Sequence, residues 1–224
     1  MNQFEIIHFS SFGLDLQEPM AAVTNWMISS FCFFAFWQLR KVNELETNWW
    51  KNFFLCFSIS TFLAGFGHLF FQYTGIPGKF PNWILGVMSG YFAGNAMLVK
   101  MQHATTKKVI QKVLIFKAAF FITFAMWKQN FVFVAIDAIL TYVLFCGILG
   151  YIYFKRGFQS MKFMVLGVLV CLPSAFIFLL KINPHRWLNK DDLSHLFMLG
   201  CTICFYWGAK MISTETSTAM VSSK

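Results

Sequence analysis

Apolar residues run through this chain in long blocks separated by short polar breaks. A sliding window of about 19 residues picks out seven blocks, each near the ~20 residues an α-helix needs to cross hydrocarbon. They cover approximately 20–39, 50–73, 82–101, 109–127, 130–154, 161–181 and 191–212. The breaks read "RKVNELETN", "TGIPGKFP", "QHATTKK", "KQ", "KRGFQS" and "INPHRWLNK". Breaks this short make consecutive helices antiparallel neighbours. The pattern predicts an all-α polytopic membrane protein, with seven transmembrane helices forming one domain over residues 1–224. Pro173 falls inside the sixth block and predicts a kink, which neighbouring helices tolerate.

Composition agrees with a membrane solvent. The 224 residues are 58% hydrophobic and 12% charged, against roughly a quarter charged in a soluble domain. The basic residues then orient the chain. Arg40, Lys41, Lys51, Lys100, Lys107, Lys108, Lys112, Lys155, Arg156, Lys162, Lys210 and Lys224 fall on one face. Lys79, Lys128, Lys181, Arg186 and Lys190 fall on the other, and Lys117 lies within the fourth block. The richer face is expected to be cytoplasmic, which puts the N-terminus outside and the C-terminus inside. The net charge of +9 is therefore a topology signal, with anionic membrane lipid as partner and no nucleic acid. The opening "MNQFEIIHFSSFGLDLQEP" lacks a basic region before its acidic residues, which argues against a cleaved signal peptide. The Ser/Thr-rich tail "STETSTAMVSSK" is expected to fray.

Ionisable groups at membrane depth are costly and mark function by default. Here they gather at one depth. Glu18 and Asn25 lie at the outer entrance of the first block, and His68 lies near the outer end of the second. Asp137 is about seven residues below the outer start of the fifth, roughly 10 Å at 1.5 Å per residue. Asp191, Asp192 and His195 open the seventh. Histidines with carboxylates are what a zinc site or a proton-transfer site requires. On a helix, His195 shares a face with Asp192 three residues before it and with Asp191 four before it. The candidate metal ligands are thus His68, His195 and Asp192 or Asp191, with Asp137 or Glu18 as base or as outer support.

Each of these residues also has a plainer reading. The two aspartates can cap the seventh helix, with the cap more expected of Asp191 than of Asp192. His68 can be a packed histidine, and Gly65 and Gly67 beside it read first as close helix packing. Asp137 can form a structural ion pair with a nearby lysine. Glu18 before Pro19 fits a helix start. The Cys201–Cys204 pair has no partner pair, and the six cysteines read as small packing residues. Lys210 lies near the cytoplasmic surface with no carboxylate in the third block, so it snorkels and does not carry a pigment.

The segments "EPMAAVTN" (18–25), "GFGHLFF" (65–71) and "LNKDDLSHLFMLG" (188–200), on a seven-helix plan, resemble the alkaline ceramidase-like membrane hydrolases of the CREST group. The seventh-helix stretch is also similar to a pattern in bacterial seven-helix relatives. That resemblance implies zinc as cofactor and hydrolysis of an amide in a lipid-like substrate. It implies His68 as the ligand of the second helix and His195 as a ligand of the seventh. The chain departs from the family at Lys190, Asp191 and Leu199, where a further histidine is expected. Ala64 stands in place of the assisting serine, and the third helix offers Asn82 but no aspartate. The expectation is a metal-dependent amidohydrolase of a bacterial inner (cell) membrane. The alternative is a non-catalytic heptahelical receptor or scaffold whose polar cluster only joins helices. A transporter would be expected to show inverted repeats or broken helices, and the sequence has none.

Overall fold

A computed structural model describes residues 5–222. The first four residues and the last two, Lys224 among them, lie outside the described residues. The chain opens on a β-hairpin, β1 (His8–Ser11) and β2 (Leu14–Gln17), which the hydropathy blocks did not predict. Phe12 and Gly13 join the strands with φ of 51° and 74°. Two left-handed residues in a row are what a tight two-residue hairpin turn requires. The hairpin is tied to the helical body where the Asp15 amide donates to the Tyr73 hydroxyl at 3.0 Å.

Among the described residues, seven long helical stretches follow the predicted blocks. They are α1 (Pro19–Leu39), α2 (Leu45–Leu69), α4 (Phe80–Leu98) and α5 (Ala104–Lys128). The fifth stretch is α6 (Val132–Thr141), a π-helical segment (Tyr142–Leu149) and α7 (Gly150–Lys155) in succession. The last two are α8 (Met161–Leu179) and α9 (Lys190–Ser222). Six of these stretches are long and apolar enough to cross a bilayer, so the protein is a helical membrane protein. The exception is α4, whose Asn82, Ser89 and Asn95 lower its hydropathy; it packs on α2, α5 and α6 inside the bundle. Large apolar side chains face outward as lipid-exposed residues do, Phe116 at 77% and Trp127 at 66% exposure.

Several boundaries differ from the sequence reading; α2 begins at Leu45 and α5 at Ala104, ahead of the blocks predicted from 50 and 109. The second block was expected to run to residue 73, but α2 ends at Leu69 and the short α3 (Phe71–Thr74) follows after a break at Phe70. Phe70 and Phe71 keep the window apolar, but the helix breaks at Phe70, with φ −99° and ψ 14°; Gly75 at φ 57° and Pro77 turn the chain after α3. The helix α9 runs on through the Ser/Thr-rich tail to Ser222.

Packing brings α1 between α2 and α9, while α8 packs on α9 and on the π-helical segment. The core is aromatic, with Trp50, Phe53, Phe54 and Phe205 fully buried. The α1–α2 seam is close. Ser29 and Ser58 each donate a hydroxyl to the other's carbonyl at 2.9 Å. A Cβ at Gly65 would sit 2.3 Å from Trp26 Nε1, so only glycine allows this approach. That seam holds His68 next to the start of α1.

Candidate functional site

Three helix ends meet at one end of the bundle: the start of α1, the end of α2 and the start of α9. Glu18 precedes Pro19 at the head of α1 and adopts φ 51°, a left-handed backbone that non-glycine residues rarely take. Its side chain does not cap its own helix. It turns toward α2, where Oε2 accepts a hydrogen bond from His68 Nδ1 at 2.7 Å. Strained backbone persists only where the surroundings over-determine it, and such residues cluster at functional sites. Here the Glu18 amide is held by the Ile7 carbonyl at 3.0 Å, so the irregular segment before the hairpin helps to set the carboxylate's position.

Burial opposes ionisation of Glu18, but the His68 hydrogen bond and the charges of His68, Lys79 and Lys190 outweigh it. The carboxyl therefore titrates below its ordinary 4.5. Lys79, in the turn before α4, is pushed down by burial against the pull of Glu18 and Asp191. When the imidazole is neutral, donation of Nδ1–H to Glu18 leaves the Nε2 lone pair of His68 open to other chemistry. The His68 side chain is 13% exposed, which leaves it within reach of water.

His195 lies one turn inside α9, with its ring centroid 6.2 Å from that of His68 and nearly perpendicular to it. Its Nδ1 is 2.9 Å from Thr24 Oγ1. The Thr24 hydroxyl donates to the Met20 carbonyl at 2.9 Å, so it accepts from His195 Nδ1–H. Asn25 Nδ2 donates to the Ala21 carbonyl and also lies 3.3 Å from His195 Nε2. Thr24 was absent from the residues singled out in the sequence, although its neighbour Asn25 was among them.

The aspartates of α9 divide their duties differently from expectation. Asn189 Oδ1 accepts the amides of Asp191 and Asp192 at 2.8 and 3.1 Å, and Asp192 Oδ2 accepts the Asn189 amide at 2.9 Å. This is a reciprocal capping box, with Asp192 and not Asp191 as the returning carboxylate. Asp191 pairs instead with Lys190 at 2.7 Å. The signal was present as N-x-x-D over 189–192, but Asn189 was not read as a cap.

Asp137 does not join this group. It is 1% exposed on α6 and pairs with Lys117 of α5, whose ammonium also donates to Thr141 Oγ1 at 2.7 Å. α6 packs on α4 and α5, away from the α1–α2–α9 corner. The expected zinc ligands do not converge either. Among the described residues, no group of three or more His, Cys, Asp or Glu side chains is arranged to hold a metal ion. In this arrangement His68 Nδ1 is held by Glu18, Asp191 by Lys190, and one Asp192 oxygen by the cap. The set His68, His195 and Asp192 or Asp191 therefore does not fit zinc as it stands. What the corner does hold is a carboxylate–imidazole dyad beside a second imidazole.

Residues 20–214 match the family of unknown function DUF6962, and the chain belongs to that family. No curated protein and no solved structure matches it.

Proposed function

We propose that this member of DUF6962 is a seven-span membrane hydrolase with its N-terminus outside and its C-terminus cytoplasmic. Its site lies at the outer ends of α1, α2 and α9, and α4 serves as the seventh span. The observation that carries the reading is the 2.7 Å contact from Glu18, on strained backbone, to His68. A carboxylate holding one imidazole nitrogen leaves the other as a general base of fixed tautomer. His68 Nε2 takes a proton from water, and the hydroxide adds to the substrate carbonyl. The imidazolium, stabilised by Glu18, returns the proton to the departing amine. His195 stands beside the dyad, with its Nδ1–H engaged by Thr24. An amide in a lipid-like substrate is the class implied by the resemblance of 18–25, 65–71 and 188–200 to ceramidase-like hydrolases.

The test is turnover of short N-acyl lipids by detergent-purified wild type and His68→Ala, followed as released fatty acid. Wild-type turnover, reduced ~10²-fold or more in the variant, is expected of a lost general base. A wild type that is inert on every N-acyl lipid would sink the reading. A second reading has its own support: the capping box and the Lys190–Asp191 pair are complete structural interactions. In that reading the chain is a non-catalytic heptahelical scaffold. His68→Ala then lowers stability and has no turnover to remove.

A further inference from the structure

Beside the dyad is a cavity of about 330 Å³, between the segment before the hairpin, the start of α1 and the loop that enters α9. Its volume lies within the range of small-ligand sites. Its charged lining is mixed: Glu5, Glu18, Asp191 and Asp192 supply carboxylates, and Arg186 and Lys190 supply cations. Some of these are already satisfied. Glu18 holds His68, and Lys190 holds Asp191. Asp192 is 1% exposed, and its Oδ1 has no hydrogen-bond partner. Leaving a buried carboxylate oxygen unpaired is costly unless something else pairs with it. Arg186 sits in a tight turn closed by His185 and Leu188, whose amides and carbonyls exchange bonds at 3.3 and 3.0 Å. The cavity therefore has the cation of Arg186 in its lining and, behind its wall at Asp192, a buried carboxylate oxygen that no protein group satisfies.

We propose that this cavity binds a zwitterionic lipid head, with a phosphate or carboxylate at Arg186 and a primary ammonium at Asp192. The inference rests on the reading of this corner as a site for a lipid-like substrate, and it names the head that substrate carries. A guanidinium suits an oxyanion by paired donors, and a buried carboxylate suits an ammonium. The cavity lies where a head group would enter. Val23 and Met27 of α1 and Leu196 of α9 are exposed apolar residues just inside those helix ends, as acyl chains require.

The experiment measures binding without turnover, on the full chain in detergent carrying His68→Ala. The probes are dihexanoyl phosphatidylethanolamine, dihexanoyl phosphatidylglycerol and free phosphoethanolamine. Expected is tighter binding of the first than of the second by about tenfold, the worth of one charged hydrogen bond. Asp192→Asn keeps an oxygen for the Asn189 amide and should erase that preference. Arg186→Gln should weaken both lipids. Free phosphoethanolamine binding as well as the lipid would make the site one for a soluble zwitterion and overturn the lipid assignment. Equal binding of the two lipids, or a preference that survives Asp192→Asn, would overturn the ammonium subsite. Wild-type protein that binds the head but hydrolyses no lipid leaves this inference standing and removes the hydrolase.

Discussion

Two acid–base pairs sit in this apolar bundle, and they differ in what surrounds them. At the corner of α1, α2 and α9, Glu18 meets His68 on strained backbone, beside a second imidazole and a cavity. Between α5 and α6, Asp137 meets Lys117 within regular helix, and the pair shares Thr141. Gly90 of α4 closes over Asp137, where a Cβ would lie 3.1 Å from Oδ2. The first pair has a base with a free nitrogen and access to water. The second has a cation that cannot act as a base while charged, paired with a carboxylate that is 1% exposed. The basic partners are about equally exposed, His68 at 13% and Lys117 at 15%; a lone pair on the base and a carboxylate 18% rather than 1% exposed distinguish the candidate site from a clasp.

The comparison is broken most sharply by turnover. His68→Ala should lower hydrolysis of an N-acyl lipid by ~10²–10⁴-fold, while Asp137→Asn stays within a few-fold of wild type per folded molecule. Equal losses in both would erase the distinction. Stability should rank them the other way. Lys117→Met strands a buried carboxylate, at a cost of about 3–5 kcal/mol. Adding Asp137→Asn to it should recover most of the loss in thermal unfolding in detergent. A double variant no better than Lys117→Met would mean the pair is not a simple clasp.

Smaller effects sharpen the picture of the corner. Glu18→Gln removes a charged hydrogen bond of about 1.5–3 kcal/mol. Glu18 titrates below its ordinary 4.5, so the folded state holds its carboxylate more readily than the unfolded chain does. That stabilisation is complete above 4.5 and is lost as pH falls through the folded value. The Tm gap between wild type and Glu18→Gln should therefore be full at neutral pH and close in acid. A gap that widens in acid would contradict the assigned ionisation. Asn189→Ala should cost ~1 kcal/mol through the lost cap of α9 and leave the α5–α6 clasp untouched. Metal analysis adds a check on the ligand set. Near-stoichiometric zinc in the wild type, lost in His68→Ala and His195→Ala, would restore the three-ligand centre expected from the sequence.

Much of this protein could be read in one dimension. Hydropathy is a local property, so the apolar blocks, the short breaks and the start of α1 at Glu18-Pro19 emerged from composition along the chain. That His68 and His195 share a level emerged as well, since rise per residue converts position into height, and their rings lie 6.2 Å apart. Gly65 and Gly67 were rightly read as close-packing positions, and Trp26 and Lys79 fill the space their missing Cβ atoms leave. Azimuth around the bundle was not legible. Two residues at one depth can face each other or stand on opposite sides, and only packing decided that Glu18 meets His68 while Asp137 meets Lys117. The hairpin was hidden because its strands are four residues each and too short to shift a long hydropathy window. The split between Asp192 as cap and Asp191 as partner of Lys190 was hidden because both lie within hydrogen-bond reach of a helix start. Sequence determined which polar groups lie near helix ends, because that follows from length and polarity. Tertiary structure alone decided which of them touch, because contact depends on how seven helices turn about their own axes.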